Sequence, residues 1–214
     1  MTRDDETMPM RTWLIRGLLA LGFVCLLVYL AATVSTWQYQ REAKVRVEKM
    51  VTMERPPEVR EHVPDVSRLQ TGEIIGRVDI PRLKLSAAVA EGDDEKTLRK
   101  AVGHLPDTPL PWQRQGNVGL AAHRDGLFRP LEKIRTGDEV RVVTPRGEYH
   151  YRVTKKQIVD PDDVWVLAST PTPTITLITC YPFSFVGNAP RRFIVQAELV
   201  GHVTGSVLTG TVVQ

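Results

Sequence analysis

The chain opens with a long apolar run that predicts a membrane-spanning helix. Residues 17–34 are 18 consecutive uncharged and mostly apolar positions, and the uncharged stretch continues through Trp37. An α-helix rises about 1.5 Å per residue, so roughly 20 residues cross the about 30 Å hydrocarbon core of a bilayer. Trp13 and Trp37 stand where interfacial aromatic residues are expected. We predict a transmembrane helix over residues 17–37, preceded by a cytoplasmic segment over residues 1–16.

Two other interpretations of this run are a cleaved signal peptide and a buried helix of a soluble protein. The apolar core of a signal peptide usually spans about 7–15 residues, and this run is longer, which favours a retained anchor. Basic residues flank the run on both sides, so their count does not select an orientation. A long polar domain can translocate despite its charges. We therefore expect a single-pass protein of the cell membrane with its C-terminal domain outside the cytoplasm.

Residues 38–72 carry charged positions followed by prolines, and they predict a tether between the membrane and the next domain. The first part has the composition of a helix that continues out of the membrane. Pro56 and Pro57 end that helix, because proline lacks the backbone N–H and clashes with the preceding turn, and Pro64 keeps the following chain extended. We expect the charged side chains to be solvated or to contact lipid headgroups.

From Glu73 onward, short apolar stretches alternate with turn residues, which is typical of β-strands rich in Val, Ile, Thr and aromatic side chains. Seven stretches fit this pattern: residues 73–80, 83–89, 117–123, 139–144, 148–159, 174–180 and 192–200. Pro145 to Gly147 predict a hairpin turn between two of them. This pattern over residues 73–202 predicts a mostly β domain, either a closed barrel or a sandwich, followed by a tail over residues 203–214.

Three short segments interrupt the strand pattern with helical features. Asp93 and Asp94 precede the stretch from Glu95 to Val102 and provide an N-cap region for a helix. Single helical turns are predicted at residues 127–134 and 164–169. The domain is thus expected to carry one or two short helices beside its strands.

Composition and charge narrow the class of function. With 214 residues, of which 42% are hydrophobic and 25% charged, the chain can form one core of about 100–150 residues, which excludes a wholly disordered protein. The formal net charge is +3 and the basic residues are interspersed with acidic ones, so no nucleic-acid partner is expected. Cys25 lies in the apolar run and could hardly meet Cys180, so a disulfide-stabilised fold is excluded.

Cys180 is the candidate nucleophile. It ends the strand stretch over residues 174–180 and is followed at once by Tyr181 and Pro182. Side chains at strand ends beside loops are often the ones that display chemistry. A reactive thiol needs thiolate character, which a neighbouring histidine or arginine supplies. The alternative, from composition alone, is an inert buried cysteine.

Of the five histidines, only His104 and His123 adjoin loops of the β domain. His123 closes the strand stretch over residues 117–123, and His104 precedes a proline-rich turn over residues 105–109. The sequence has no Cys-x-x-Cys pair and no His-Glu-x-x-His motif. We therefore expect no metal site and no cofactor.

Two consecutive arginines precede the last strand, and the period-2 alternation of strands separates them. The apolar positions of that strand, from Phe193 onward, form the face that looks into the barrel, and Arg191 shares it. In the preceding strand, Ile175 and Leu177 share one face with Thr179, and Thr176 and Ile178 share the other face with Cys180. If Ile175 and Leu177 form the core, Cys180 faces outward. Cys180 and Arg192 are therefore both predicted to face outward. This argument favours Arg192 as the partner of Cys180, with Arg191 as the alternative, because Arg191 would have to bury a guanidinium or bend away.

Several of these segments together resemble the sortase family of membrane-anchored bacterial cysteine transpeptidases. They are the string TLITC at residues 176–180, the AAHRD that contains His123, the GHLPDTPLP lead-in from Gly103 with the GNVGLAAH that follows it, and an arginine before an apolar strand. The resemblance spans about residues 73–200. The Cys-Tyr-Pro-Phe string that begins at Cys180, followed by Val-Gly-Asn-Ala-Pro, resembles the class D branch more than the class A or B patterns.

The resemblance implies an eight-stranded β-barrel and a catalytic constellation of Cys180, His123 and Arg192, with Arg191 as the alternative arginine. It implies that Cys180 attacks an LPXTG-like sorting signal to form a thioester, that His123 acts as general acid and base, and that Arg192 stabilises the oxyanion. Sortases cut between Thr and Gly of such a signal and transfer the acyl group to an amine. The implied partners are surface proteins with a C-terminal sorting signal, an amine acceptor on a cell-wall precursor or pilin lysine, and the lipid bilayer.

Other positions near these motifs are candidates for substrate contact. Thr179 and Tyr181 flank the nucleophile, and the loops that follow His123 and Cys180 are expected to wall a groove for an extended peptide. The turn over residues 105–109 reads LPDTP and looks like a sorting signal itself; we interpret it as a structural turn rather than a self-processing site. Two other functions stay open. They are a cysteine peptidase that hydrolyses the same kind of signal, and a non-catalytic anchored β-barrel that binds a partner and has an inert thiol.

Overall fold

A computed structural model describes residues 10–52, 69–185 and 187–204. The chain divides into two compact units, Met1–Tyr39 and Gln40–Gln214. Helix α1 spans Met10–Thr52. Among the described residues, its segment Leu18–Val47 is the one helix whose length and composition suit a membrane span, a test that a signal sequence also meets. The helix end predicted at Pro56 and Pro57 and the extended chain predicted at Pro64 lie outside the described residues.

The second unit is a closed barrel of eight strands. The strands are β1 (Ile74–Ile80), β2 (Leu85–Glu91), β3 (Val102–His104), β4 (Asn117–Ala121), β5 (Glu139–Thr144), β6 (Gly147–Val159), β7 (Thr174–Tyr181) and β8 (Arg191–Thr204). They follow each other around the barrel in the order β1-β2-β3-β4-β7-β8-β6-β5. The β2–β3 and β4–β7 pairs are parallel, and the other pairs are antiparallel. This architecture confirms the mostly β, closed eight-stranded fold and removes the sandwich alternative.

Strand β3 is the element that the hydrophobic pattern missed. The pattern predicted a helix through Val102, but helix α2 spans only Glu95–Leu98 and the chain turns into β3 at Val102. From Val102 the chain pairs with β2 and β4 instead, and Gly103 packs so closely that a Cβ on it would collide with the carbonyl oxygen of Gly92. A three-residue strand pressed between two others carries too little periodic sequence to be recognised.

The predicted caps and turns are present. The Asp94 carboxylate accepts hydrogen bonds from the backbone N–H of Lys96 (3.0 Å) and Thr97 (3.2 Å) and caps α2. The hydrogen bond from the Thr97 hydroxyl, together with these N–H bonds, lowers the pKa of Asp94. Short 3-10 helices occupy Arg129–Lys133 and Val164–Leu167, where helical turns were predicted. The hairpin between β5 and β6 turns at Pro145 and Arg146, as predicted.

The barrel interior holds the main apolar core, and a smaller cluster lies on the outside. Ile175 and Leu177 of β7 point into the main core and are fully buried. Ile178 of the same strand packs instead against an outer cluster formed by Val159, Val166 and Ile194. The two faces of β7 therefore follow the period-2 alternation, and both are covered. Val159, Val166 and Ile194 of the outer cluster also line the cavity that is described in the next subsection.

The first turns of the second unit contact the barrel. Gln40 accepts a hydrogen bond from the backbone N–H of Ala88 (2.8 Å) and donates one to the carbonyl of Lys100 (2.5 Å). Ala43 and Val47, one and two helical turns further along the chain, are 1% exposed. The segment from Gln40 to Val47 therefore packs as part of this unit, although its sequence predicted the start of a tether.

Candidate active site

Strand pairing brings the ends of β4 and β7 together and sets His123 beside Cys180. In the parallel β4–β7 ladder, Ala121 is aligned with Ile178. The pairing continues beyond β4, because the N–H of Ala122 donates to the carbonyl of Ile178 at 3.2 Å. His123 is thus two positions past Ala121, and Cys180 is two positions past Ile178. In a parallel ladder this equal offset puts both residues at the same level of neighbouring strands.

Strand β8 supplies the third residue from the other side of β7. In the antiparallel β7–β8 ladder, Cys180 is directly opposite Arg192, and Tyr181 is opposite Arg191. Directly opposite residues project to the same face of a sheet. Arg192 therefore shares the outward face of Cys180, which is the arrangement that the alternation argument predicts.

The outward face opens into a cavity of about 420 Å³ in which all three side chains take part. Cys180, His123 and Arg192 line it together, and Arg191 is not among its lining residues. Much of the remaining lining is apolar, and it includes residues of the outer cluster and of the loops above it: Leu98, Leu105, Val164, Val166, Ile178 and Ile194. A cavity with apolar walls and a few convergent polar groups is the usual form of a ligand-binding site.

His123 is held at its backbone while its ring stays accessible. Its carbonyl accepts hydrogen bonds from the N–H of Gly126 and of Phe128, each at 3.2 Å, which form the turn that ends β4. The side chain is 38% exposed, and its Nε2 lies 4.0 Å from the Glu95 carboxylate. Within the described ranges, no hydrogen bond reaches the imidazole, so both ring nitrogens are available for a substrate or for the thiol.

The two arginines have different environments. The Arg191 side chain is 60% exposed, and its Nε lies 3.8 Å from the Asp160 carboxylate. Arg192 is half-buried, and its Nη1 donates to the carbonyls of Arg191 (3.2 Å) and Ala189 (3.4 Å). In the part of the chain that the structure describes, no carboxylate lies within ion-pair distance of Arg192. Asp160 and Asp163 line the same cavity as Arg192 without forming an ion pair with it.

His104, the other candidate histidine, has hydrogen-bonding partners within the fold at both ring nitrogens. It is fully buried, with Nδ1 2.8 Å from the Glu91 carboxylate and Nε2 3.2 Å from both the Pro109 carbonyl and the Thr108 hydroxyl. The Thr108 hydroxyl donates to the carbonyl of Leu105 and accepts from the N–H of Gly119. The LPDTP stretch is therefore a hydrogen-bonded turn whose threonine is buried.

The residues that flank the nucleophile are largely occupied by packing. Thr179 lines the cavity, but its side chain is buried and its hydroxyl donates to the carbonyl of Ala122 at 2.7 Å. Tyr181 packs against the rings of Phe183 and Phe193, with centroids 6.2 and 6.4 Å apart, and is not among the residues that line the cavity. Their contact with substrate stays a prediction.

The walls of the cavity come from connections other than those expected. The sequence pointed to the loops after His123 and Cys180, whereas residues of the β6–β7 connection and of the β2–β3 region cover the cavity. Phe183 explains part of the difference, because it is buried in the core at 5.3 Å from the Phe193 ring. A usable signal was present: the connection over residues 160–173 is far longer than the about 4–6 residues typical of loops, and such connections are often functional.

Comparison with known proteins identifies the family. The family model of the sortase domain matches residues 78–200, which is more than half of the chain. Sortase D of Bacillus subtilis is 37% identical over 132 residues, which are 61% of this chain and 66% of that protein, slightly less than two thirds of its length.

Solved structures agree with this match. A sortase D5 transpeptidase of Clostridium perfringens superposes with a TM-score of 0.62 at 26% identity and covers 77% of this chain and 97% of that chain. Sortase E1 of Streptomyces coelicolor, solved with a tripeptide in the active site, gives a TM-score of 0.58 at 30% identity and covers 62% of this chain and 91% of that chain. Two of these three relatives have the class D name, in line with the class D resemblance of the segment after Cys180. The chain belongs to the sortase family.

Proposed function

We propose that this protein is a cysteine transpeptidase that cleaves an LPXTG-like sorting signal through a thioester and transfers the acyl group to an amine. The observation that carries the proposal is the convergence of three side chains on one cavity. Cys180 has His123 at the end of one neighbouring strand and Arg192 directly opposite on the other. A nucleophile, a proton-transfer group and a cation at one open site are the parts that acyl transfer requires.

Cys180 acts as the nucleophile and His123 as the general acid and base. The thiolate attacks the carbonyl carbon of the scissile peptide bond, and a thioester forms when the C–N bond breaks. His123 gives a proton to the departing amine and later takes one from the incoming amine, which then attacks the thioester. The free ring nitrogens and partial exposure of His123 support this role, because a shuttling imidazole must reach both the thiol and the substrate.

Arg192 stabilises the oxyanion of the two tetrahedral intermediates. A guanidinium presents forked donors, and in the described part of the chain the printed partners of Arg192 are backbone carbonyls rather than carboxylates. Removing one donor to an oxyanion commonly costs about 10²–10³ in rate. Arg191 is the weaker candidate, because it is paired with Asp160 and lies outside the cavity lining.

The apolar cavity supports an extended peptide as the substrate. Its walls suit the leucine and proline side chains of a sorting signal, and the Streptomyces coelicolor relative was solved with a tripeptide in its active site. The name transpeptidase given to the Clostridium perfringens relative supports transfer rather than hydrolysis. The partners in this proposal are surface proteins with a C-terminal sorting signal and an amine on a cell-wall precursor or pilin lysine.

The apolar segment of α1 supports a single-pass anchor with the barrel outside the cytoplasm. The apolar part of the segment Leu18–Val47 that precedes Gln40 is long enough for a membrane span, and the side chains described along it up to Trp37 are exposed, as lipid-facing side chains are. Anchoring in the bilayer would keep the enzyme near its surface substrates. Fractionation of cells tests this: we expect the full chain in the membrane pellet after alkaline carbonate extraction, and release into the soluble fraction would contradict it.

The test of the activity is a peptide library against the detergent-solubilised full chain. LPXTG-like peptides are incubated with the protein, with and without triglycine, a lysine amide or a diaminopimelate peptide, and products are identified by mass spectrometry. We expect an acyl adduct on Cys180 and an amine-linked product that forms only when an amine is present. The Cys180→Ala variant is the control and forms neither.

Two outcomes would replace the proposal. Hydrolysis as the only product in excess of every amine would make the protein a cysteine peptidase. If no peptide forms an adduct and Cys180 reacts with an alkylating reagent no faster than a free thiol, the protein would instead be a non-catalytic binding module. Adduct, hydrolysis product and transfer product differ in mass and are read from the same samples, and the alkylation rate is measured separately.

A further inference from the structure

Two arginines hold the described part of the β7–β8 loop (residues 182–185 and 187–190) against the turn that follows β4. Arg124 comes directly after His123, and its Nη2 donates to the carbonyls of both Phe185 and Gly187 at 2.8 Å. Arg129 lies five residues further along the same connection, and its Nη1 donates to the carbonyl of Phe183 at 2.5 Å. Three main-chain carbonyls of one loop are thus bound by two side chains of another.

The environment of Arg124 indicates a dedicated contact rather than a surface ion pair. Its Cζ lies 5.8 Å from the centre of the Phe185 ring, within the range of a cation–π interaction. Its Nη1 is buried and has no hydrogen-bond partner among the described residues, so the guanidinium is partly withdrawn from solvent. A planar guanidinium with several donors can hold two carbonyls at once, which a lysine ammonium on a flexible stem does less well.

The loop that these arginines hold connects Cys180 to Arg192 and also contacts Arg192. Its residue Ala189 offers a carbonyl to the Nη1 of Arg192 at 3.4 Å. A continuous set of contacts therefore runs from the turn of His123, through Arg124 and the loop, to the guanidinium opposite Cys180. Main-chain carbonyls that leave a strand have no ladder partner, so without the arginines the loop would need water or another conformation to satisfy them.

We propose that Arg124 and Arg129 are positioning residues that hold the β7–β8 loop so that its Ala189 carbonyl aligns the Arg192 guanidinium with Cys180. The proposal rests on the proposed function, because it assigns Arg192 the oxyanion. Neither arginine lines the cavity, and each acts through the loop. Their loss lowers the rate of the chemical step rather than the binding of the peptide.

The first experiment measures single-turnover acylation and loop exchange on the full chain in detergent. Arg124→Met is expected to lower the acylation rate at saturating peptide by about 10–100-fold, the range for hydrogen bonds to a charged group, with KM changed less than kcat. Arg129→Met has a smaller effect in the same direction. Arg124→Lys keeps the charge and restores only part of the rate. Hydrogen exchange is expected to rise in residues 183–192 and not in the barrel strands.

Arg152→Met is the matched control, because Arg152 is an exposed arginine on β6 that also donates to a main-chain carbonyl, that of Gly137 at 3.3 Å. It should leave the acylation rate and the loop exchange unchanged. The melting temperature of every variant is measured beside the rate. If Arg124→Met lowers both Tm and the acylation rate, its loss of rate could come from lost stability. In that case the Arg124→Lys variant, if its Tm is unchanged, decides the question: a lowered acylation rate in it supports the proposal.

A double-mutant cycle decides whether Arg124 acts through Arg192. In the Arg192→Ala background, the Arg124→Met substitution is expected to change the residual acylation rate by less than about threefold, because the group it aligns is gone. An equal loss of rate in both backgrounds would overturn the proposal, as would an unchanged rate in Arg124→Met. If the unsubstituted protein forms no acyl adduct with any peptide, the proposed function fails. Hydrogen exchange of the β7–β8 loop then still tests whether Arg124 and Arg129 hold that loop.

Discussion

Two histidines stand at the ends of neighbouring barrel strands, and their surroundings differ in nearly every respect. His104 ends β3, is fully buried, and has an oxygen within 3.2 Å of each ring nitrogen. His123 follows β4, is 38% exposed, and faces the cavity that also contains Cys180. Both adjoin loops in the sequence, so neither pattern nor residue type separates them.

The two histidines differ in their unused hydrogen-bonding groups and not in residue type. A buried polar group with all its partners stabilises one conformation and has nothing left for a substrate. The arginines divide in the same way. Arg82 is bound in a forked pair to Asp138, with two nitrogen to oxygen distances of 2.5 Å, whereas Arg192 has only backbone carbonyls as partners in the described residues.

The largest effect is expected from replacing Cys180 or His123. Cys180→Ala and His123→Ala each remove a group that takes part in bond exchange, so acylation should fall by about 10³-fold or more. Neither side chain belongs to the main core, so the melting temperature should stay close to that of the unsubstituted protein. The measurement is single-turnover adduct formation by mass spectrometry beside a thermal melt.

The control for His123 is His150→Ala, which removes a partly exposed histidine on β6 that pairs with Glu139 at 2.8 Å. Its acylation rate should equal that of the unsubstituted protein. An acyl adduct that forms in Cys180→Ala or in His123→Ala at the rate of the unsubstituted protein would contradict the assignment of the residue replaced in that variant.

The next effect separates the two consecutive arginines. Arg192→Ala should lower acylation by about 10²–10³-fold, because the oxyanion loses its charged donor. Arg191→Ala should change it by less than about twofold, since Arg191 is exposed and paired with Asp160 on the surface. Rates at saturating peptide decide between them. Loss of activity in Arg191→Ala alone would mean that the strand alternation at the start of β8 does not select the catalytic arginine.

The alternation of side chains along strands made much of the fold accessible from sequence. Ile175 and Leu177 face the barrel core and Cys180 faces outward, because a period of two leaves no other arrangement once one face is apolar. Strand β3 could not be found in this way, since three residues give no period. It is a strand because it pairs with β2 and β4, and that pairing is not visible in the local sequence pattern.

The candidate site was accessible only in part. Residue types and strand ends made Cys180, His104 and His123 candidates, and the family resemblance selected His123 over His104. The covering of the cavity by the connection between β6 and β7 depends on tertiary packing of Val166 with Val159 and Ile194. The same limit applies to His104. Its pairing with Glu91 joins residues 13 positions apart through the β2–β3 ladder, which no local pattern encodes.

Replacing His104, whose ring nitrogens both have oxygen partners, should affect stability rather than activity. His104→Leu leaves the Glu91 carboxylate buried without a partner, which should cost about 3–5 kcal/mol of unfolding free energy. Acylation per folded molecule should stay within a few-fold of the unsubstituted protein. The Glu91→Leu/His104→Leu double variant should recover much of the stability, because both polar groups are then removed. Denaturant unfolding measures both variants, and a double variant no more stable than His104→Leu would show that the two side chains stabilise the fold by more than satisfying each other's hydrogen bonds.

The smallest expected effect comes from the pair of Arg82 and Asp138, and it is a dependence of stability on pH. The hydrogen bond from Arg82 lowers the pKa of Asp138, and burial only partly opposes it. The carboxylate is thus favoured in the folded state, so its contribution is fully present above the unfolded pKa of about 3.9 and is lost as pH falls through the lower folded pKa. Arg82→Met should lower Tm by about 2–6 °C between pH 5 and 7. This difference should shrink as the pH falls below about 4. Asp162→Asn, which removes an exposed carboxylate, should show neither change, and a difference between Arg82→Met and the unsubstituted protein that grows with acidity would contradict the assigned sign.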